Sequence, residues 1–247
     1  MKNASLNTRQ QALLEILKSK NFATVAQLSK ELYVSEITVR RDLKQLEALG
    51  LLHRSRGGAL PASNLSQDVP YALGIRTNVM EKKLIAAKAV SLIRDGSTIF
   101  LDASSSARAM IPLLTDRKDI FVFTHSLENA LLAANYGLKA FCSGGMVKGT
   151  TASCVGASTL RMLESIFVDY TFFSSRGIDD RGLVTHHSDD KCRIIQQMMR
   201  QSRQSYLLCD TSKANIISTF AICRTEELTG VIAERHFPFD VPNIILS

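Results

Sequence analysis

The sequence predicts two architectures in tandem: a small winged helix-turn-helix domain, mainly helical with a β wing, and a larger α/β domain on a mostly parallel sheet. Three observations carry that expectation. Ser35 to Leu43 reads as a capped amphipathic helix with two adjacent arginines, preceded by two short helical segments. Residues 1–60 hold ten Lys/Arg against five Asp/Glu, whereas the rest of the 247-residue chain holds twenty against eighteen. From position 80 onward, short β-like runs alternate with helices of roughly ten residues, the pattern of a sheet covered on both faces.

In chain order, Asn7 or Thr8 caps a first helix whose inner face is Leu13, Ile16 and Leu17, and Asn21-Phe22 breaks it. Thr24 caps a shorter second helix with Val25, Leu28 and Leu32 inward, and Tyr33-Val34 makes a tight turn into the third. In that third helix Ser35 is an N-cap, and Val34 outside it pairs with Val39 as a hydrophobic staple. Val39, Leu43 and Leu46 form the buried stripe, which leaves Arg40, Arg41 and Lys44 off that face and Thr38, Arg41 and Gln45 along an exposed edge. Such a helix is suited to the DNA major groove. By itself it reads equally as a solvated surface helix with a Glu36–Arg40 pair one turn apart. Gly50 stops it, and Leu51 to Leu60 folds into a wing whose Arg54 and Arg56 meet phosphates or the minor groove.

The polar, proline-bounded run Pro61 to Pro70 is the expected linker, giving a DNA-binding domain over 1–60, a linker over 61–75 and an α/β domain over 76–247. A helix over Met80–Ile93 is predicted with Leu84, Ala87, Val90 or Ser91 and the Ile93 region inward. Strands follow at Thr98–Leu101, Ile120–Phe123, Lys139–Cys142, Tyr170–Ser174, Tyr206–Cys209 and Asn243–Leu246. Helices alternate with them at Ala107–Leu114, Leu127–Asn135, Ala157–Phe167 and Lys191–Ser202.

Ligands of open α/β sheets bind beyond the carboxyl ends of the strands. Four polar clusters fall there: Asp102 with Ser104, Ser105 and Ser106; Thr124, His125 and Ser126; Gly144 and Gly145 after Ser143; and Asp210 with Ser212 and Lys213. Hydroxyls and free N–H groups at a helix start suit an anion, and Lys213 is placed as a counter-charge. Each cluster alone reads as an N-cap or tight turn; four after successive strands point to a pocket.

The N-terminal segment resembles the DeoR family of bacterial transcription regulators. It carries Arg9, Leu13 and Leu17 at four-residue steps, then after a fixed gap Ser35, Thr38, Val39, Arg40, Arg41, Asp42 and Leu43, and the wing ending Arg56 to Ala59. The second half resembles that family's sensor domain at Asp95 to Thr98, the Asp102 loop, Thr124 to Ser126, Gly144-Gly145, Gly177 to Asp179 with Gly182, and Asp210 to Lys213. The resemblance implies a fold related to ribose-phosphate isomerases and CoA transferases. It also implies a repressor of a carbohydrate-catabolic operon that holds double-stranded operator DNA as a homodimer or homotetramer. A phosphorylated sugar would act as effector, with no resident cofactor.

Departures from that pattern are local. Ser104 to Ser106 replaces a glycine-containing run, His125 replaces an asparagine, and Arg176 stands where a small residue is usual. Lys191 and Ile195 occupy the positions of a Glu and a Lys, with Asp189 or Asp190 and Arg193 as shifted substitutes, so one pocket lysine is expected to be lost. His186 and His187 either add contacts or decorate a loop. Two other readings follow: a sugar-phosphate isomerase or transferase, or a second domain that serves only for oligomerisation. Against the enzyme stands the absence of a Ser/His/Asp order, a metal quartet and a dinucleotide glycine motif. Five scattered cysteines, no apolar run after Met1-Lys2-Asn3 and no membrane-length apolar stretch make a cytoplasmic protein the expectation.

Overall fold

A computed structural model of the protein describes residues 6–20, 22–48, 51–55, 57–61, 74, 75, 77–149 and 151–247. The chain divides into two compact units, Met1–Gln67 and Asp68–Ser247. Gly50, Arg56 and most of the expected linker lie outside the described residues; Pro61 ends the last wing strand, paired with Leu52.

The first unit runs α1 (Thr8–Lys20), β1 (Ala23–Thr24), α2 (Val25–Leu32), α3 (Glu36–Ala48), β2 (Leu52–Ser55) and β3 (Gly58–Pro61). Local chemistry sets each helix start. The Asn7 side chain accepts from the Gln10 N–H at 2.9 Å and the Gln10 side chain accepts from the Asn7 N–H at 3.2 Å. Thr24 and Gln27 form the same reciprocal box at α2, and Ser35 Oγ accepts from the Thr38 N–H at 3.3 Å before α3. Tyr33 takes the turn in the left-handed region, φ 54°, with Ser29 binding both ends of it: its carbonyl accepts from the Tyr33 and Val34 N–H groups. Leu13, Leu17, Val25, Leu28, Val39, Leu43, Leu46 and Leu52 close one core; Ile16 and Leu32 lie at its margin.

Strand β1 is not legible in the sequence, because two residues carry no periodicity. It pairs antiparallel with β3, Ala23 opposite Ala59 and Thr24 opposite Gly58. Gly58 permits this approach: a Cβ there would sit 2.3 Å from the Ala23 carbonyl oxygen and 2.6 Å from the Phe22 ring. Gly58→Ala is therefore expected to destabilise this unit by about 1–3 kcal/mol, as overpacking of a close contact does, read as an earlier urea transition of the N-terminal unit. An unchanged transition would remove the strand closure as its cause.

The second unit begins with α4 (Val79–Ser91). Here the structure corrects the sequence: Lys82, Ile85, Ala86, Ala89 and Val90 are buried, whereas Leu84 is 48% exposed and Ala87 is exposed. Glu81, Lys82, Lys83 and Lys88 are spread round the helix among its apolar residues, so periodicity could not choose its face. It leads into β4 (Thr98–Leu101), α5 (Ser105–Met110) with a 3-10 turn over Ile111–Asp116, β5 (Phe121–Thr124), α6 (Leu127–Asn135) and β6 (Lys139–Cys142). The hairpin β7 (Met146–Lys148) and β8 (Ser153–Val155) follows, then α7 (Ala157–Leu163) and β9 (Val168–Phe173). Beyond lie β10 (Gly177–Ile178), β11 (Leu183–His186), α8 (Asp189–Arg200), β12 (Ser202–Leu208), a 3-10 turn Thr211–Lys213, β13 (Phe220–Arg224), β14 (Gly230–Ala233) and β15 (Ile244–Leu246).

Seven strands form one sheet in the order β15-β14-β12-β9-β4-β5-β6, and each of its neighbouring pairs is parallel. Alternate residues face opposite cores, as a sheet covered on both sides requires. Ile99 and Leu101 join the cluster containing Ile85, Met110 and Phe172, and Phe100 joins the one containing Leu163, Ile194 and Met198. The strands absent from the sequence reading are mostly short excursions: the β7–β8 hairpin and the antiparallel β10-β11-β13 sheet. Both add walls to the region beyond the carboxyl ends of the main strands.

Candidate functional site

On the first unit, the outward side of α3 presents an array of polar and cationic side chains. Ser35 and Thr38 are partly spent on the cap, their hydroxyls 3.0 Å apart. Arg40 reaches Glu36 at 3.1 Å, the surface pair that the sequence also allowed. Gln45 accepts from the Gln10 side chain at 2.9 Å, which ties it to α1. Arg41 and Lys44 are exposed and have no acceptor among the described residues. Between them stands Ile37, 81% exposed. The sequence reading passed over it because it falls outside the apolar stripe; an isoleucine opposite the core stripe was the available signal. Arg54 on β2 is held by Glu47, which accepts from its N–H at 2.8 Å and lies 3.7 Å from its guanidinium.

The family-like Arg9 and Asp42 turn out to be one structural device. Asp42 is buried midway along α3, and Arg9 Nε and Nη2 donate to its two oxygens at 2.5 and 3.1 Å. This bidentate pair docks α1 on the reading helix.

On the second unit, a cavity of about 240 Å³ opens beyond the carboxyl ends of the parallel strands. Taking about 30 Å³ per water, it has room for about eight waters, the scale of a small metabolite. Of the residues singled out in the sequence, Ser104, Ser105, Ser106, His125, Asp210, Ser212 and Lys213 line it. The others are near but turned to internal tasks. Asp102 is fully buried and accepts from the Ser104 and Ser174 N–H groups, with Lys191 Nζ 3.0 Å away. Thr124 Oγ1 accepts from the Ser126 N–H, and Ser126 Oγ accepts from the Asn129 N–H to cap α6. The Gly144 carbonyl takes the Thr159 hydroxyl at 2.7 Å, and a Cβ on Gly145 would lie 2.1 Å from that hydroxyl. Gly145 makes room for α7, whereas Gly144 takes a left-handed φ of 66° with open space where a Cβ would be, and neither lines the cavity.

Among the described residues, five cationic side chains line the cavity: Lys82, Lys148, Arg176, Lys191 and Lys213. Position 195, where the resemblance expects a lysine, holds Ile195 buried in a core, while Lys191, at the position of the expected glutamate, faces the cavity and bridges to Asp102. Lys82 was missed because α4 was turned the wrong way. A lysine within the stripe Lys82, Ile85, Ala86, Ala89 is the sign that would have revealed it. Its ammonium donates to the Gly74 and Thr77 carbonyls at 2.6 and 2.7 Å. Burial, with Lys213 nearby, pushes its pKa down to about 8. Asn78, just before α4, donates to Asp210 and to Ser212, each at 2.9 Å. Lys213 Nζ donates to Ser174 Oγ at 2.6 Å and lies 3.8 Å from Asp210. Burial would raise the Asp210 pKa, but Lys213 and the Ser212 hydroxyl outweigh it and hold it below the ordinary carboxylate range.

His125 stacks on Phe100 and is 1% exposed. Burial takes its pKa down to about 4, so it presents a neutral imidazole throughout the physiological range. Its Nδ1 is buried without a hydrogen-bond partner among the described residues. His186 and His187 also line the cavity, stacked at 4.2 Å. His186 Nδ1 accepts from the Ser188 N–H, and burial puts its pKa well below the ordinary value. Taken together, the wall offers positive charge, hydroxyls and neutral imidazole to a small polar anion. No group of His, Cys, Asp and Glu able to hold a metal occurs among the described residues, and none of the described helices is long and apolar enough to cross a membrane.

Comparison with known proteins parallels this division. Residues 9–64 match the family model of the DeoR-like helix-turn-helix domain, and residues 77–235 match that of the DeoR C terminal sensor domain. The HTH-type transcriptional repressor GlcR of Bacillus subtilis is 31% identical, over 91% of this chain and 86% of its own. The L-fucose operon activator of Haemophilus influenzae is 29% identical over 94% of each. Among solved structures, eIF2B delta from Chaetomium thermophilum superposes with a TM-score of 0.51 at 16% identity, over 65% of this chain and 57% of that one. A ribose 5-phosphate isomerase from Methanocaldococcus jannaschii gives 0.43 at 20% identity, over 56% and 55%. This chain therefore spans little more than half of either solved chain, and the likeness concerns the α/β fold alone.

Proposed function

Since the chain belongs to the DeoR family of DNA-binding transcription regulators, we propose that it represses a carbohydrate-catabolic operon and releases the operator when a phosphorylated sugar fills the cavity. The observation that carries the ligand half is the wall itself: among the described residues, five cations and the carboxylate of Asp210 line a space of metabolite size. Lys82 and Lys213 supply counter-charge for the phosphate, and Ser104 to Ser106 and His125 hydrogen-bond to sugar hydroxyls. For the DNA half, Arg41, Ile37 and Thr38 read base edges, with Ile37 offering its methyl groups to a thymine; Arg40, Lys44, Arg54 and Arg56 hold phosphates. Binding as a homodimer or homotetramer follows the two-fold half-site logic of helix-turn-helix proteins.

A response to ligand has a physical route within the second unit. Lys82 clasps the carbonyls of Gly74 and Thr77, just before α4 in the chain. An anion competing for that ammonium loosens the clasp. The test is to recover and sequence DNA bound by the full chain, then titrate the complex with a panel of sugar phosphates. Release by at least one sugar phosphate is expected. Operator binding indifferent to the whole panel, together with no thermal stabilisation, would instead favour a domain that only assembles subunits; ligand at about 100 times its Kd stabilises by about 2.7 kcal/mol. Turnover of a sugar phosphate would revive the enzyme reading.

The affinity for the anion is expected to depend on pH with a defined sign. A bound anion needs Lys82 protonated, so affinity falls as pH rises through about 8, approaching tenfold per pH unit above that value. The empty protein moves oppositely. The depressed pKa is a cost of folding that is fully present below about 8 and is relieved as pH climbs toward the ordinary lysine value. Calorimetric titration at pH 7 and 9, beside urea denaturation of the empty protein at both, checks the two signs.

A further inference from the structure

We infer that Tyr33 is a DNA-contacting residue, its phenol hydroxyl donating to a backbone phosphate beside the groove that α3 enters. This rests on the DNA-binding reading above and adds to it a contact from outside the reading helix.

Tyr33 is out of place on two counts. Its backbone is left-handed, φ 54° and ψ 40°, a conformation in which the Cβ of an L residue crowds the carbonyl that follows. Among the described residues, the other non-glycine positions with positive φ are Asn78, Asp119, Ala152, Asn215 and Asn243. Asn and Asp tolerate the region because their short polar side chains bond locally; a bulky aromatic has no such relief. Such conformations persist only where the surrounding structure imposes them, and they cluster at functional sites.

The second count is that the side chain gives the fold nothing in return. Tyr33 is 94% exposed, and its hydroxyl has no hydrogen-bond partner among the described residues. A glycine or an asparagine would make the same turn at lower cost. The ring is therefore explained by a partner outside the chain.

Position in the unit identifies that partner. The Ser29 carbonyl accepts from the Tyr33 and Val34 N–H groups, and the Ser29 hydroxyl donates to the Val34 carbonyl. The ring is thus carried on a fixed backbone, and a tyrosine with two rotatable bonds loses little entropy on contact. Two residues on, Ser35 caps α3, so Tyr33 stands at the N-terminal end of the reading helix. Helix-turn-helix proteins bring that end to the base edges, between the two sugar-phosphate strands of the groove. Tyrosine is among the side chains that bond phosphate oxygens, and its ring covers the deoxyribose beside them. Ile37 and Arg41, both exposed, continue the surface along α3.

The test uses the full chain with two duplexes at one salt concentration: the recovered operator and a scrambled sequence of equal length. A phosphate contact carries no sequence information. Tyr33→Phe is therefore expected to weaken binding to both duplexes by the same factor, about tenfold, the scale of one hydrogen bond to a charged acceptor. The dependence of affinity on salt should match the parent's, because a neutral hydroxyl displaces no counterion; Lys44→Ala, run beside it, lowers that slope by about 1. Tyr33→Asn should lose at least as much affinity while the first unfolding transition stays at or above the parent's temperature, since asparagine relieves the backbone. Parental affinity for both duplexes in Tyr33→Phe overturns the inference. So does a loss confined to the operator, which marks a base contact, or an earlier transition in Tyr33→Asn, which makes the ring part of the fold. In all three cases the DNA-binding reading stands if Arg41→Ala weakens operator binding. If the full chain binds neither duplex, both fall together.

Discussion

Arg9→Ala is expected to abolish DNA binding without touching a DNA-facing residue. The mutation removes both donors from Asp42, whose side chain is 2% exposed midway along the reading helix. Stranding a buried carboxylate costs about 3–5 kcal/mol. A unit of this size holds little more than that in reserve, so it should be largely unfolded at 37 °C. The reciprocal change is milder: Asp42→Ala leaves an arginine that is already 33% exposed and that water can solvate. The asymmetry is the test. Circular dichroism and urea titration should show Arg9→Ala losing the first transition while the second unit keeps its ligand response. Equal effects from the two variants would mean that the pair contributes only packing.

Arg41→Ala should weaken operator binding about 10- to 100-fold, the range of about 1–3 kcal/mol that one bidentate base contact supplies, with no change in thermal stability. Arg41 has nothing to lose inside the protein, being exposed and without an acceptor among the described residues. Arg40 differs, since its guanidinium is shared with Glu36; Arg40→Ala should reduce affinity less and act evenly on all sequences, as phosphate contacts do. Ile37→Asn separates base reading from mere proximity: it should change the preferred base at one position of the site rather than lower affinity throughout. Competition between operator and scrambled DNA at fixed salt measures all three. An unchanged affinity for Arg41→Ala would move the reading surface elsewhere on the unit.

How far the sequence foretold these sites depended on the range of the forces involved. Thr24 and Ser35 were recognisable as caps because a cap is satisfied within three residues of itself. The Val39, Leu43 and Leu46 stripe was recognisable because polar residues bracket it. On α4 no such contrast exists, so its face was assigned to Leu84 and Ala87, whereas packing buried Lys82 and Ile85. Gly144 and Gly145 looked like ligand loops, yet neither lines the cavity, and only the arrival of α7, with Thr159 bonded to the Gly144 carbonyl, reveals the task of Gly145. Asp102 looked like a ligand contact, yet Lys191, far along the chain, draws it behind the wall.

Helix starts, the reading helix, the charge imbalance and the alternation of strands with helices were all written in neighbouring residues, because capping, amphipathic periodicity and net charge act over a turn or two. The composition of the cavity was not. Lys82, Lys148, Arg176, Lys191 and Lys213 come from separate stretches of chain. Their convergence depends on the sheet order, the face of α4 and the two antiparallel excursions.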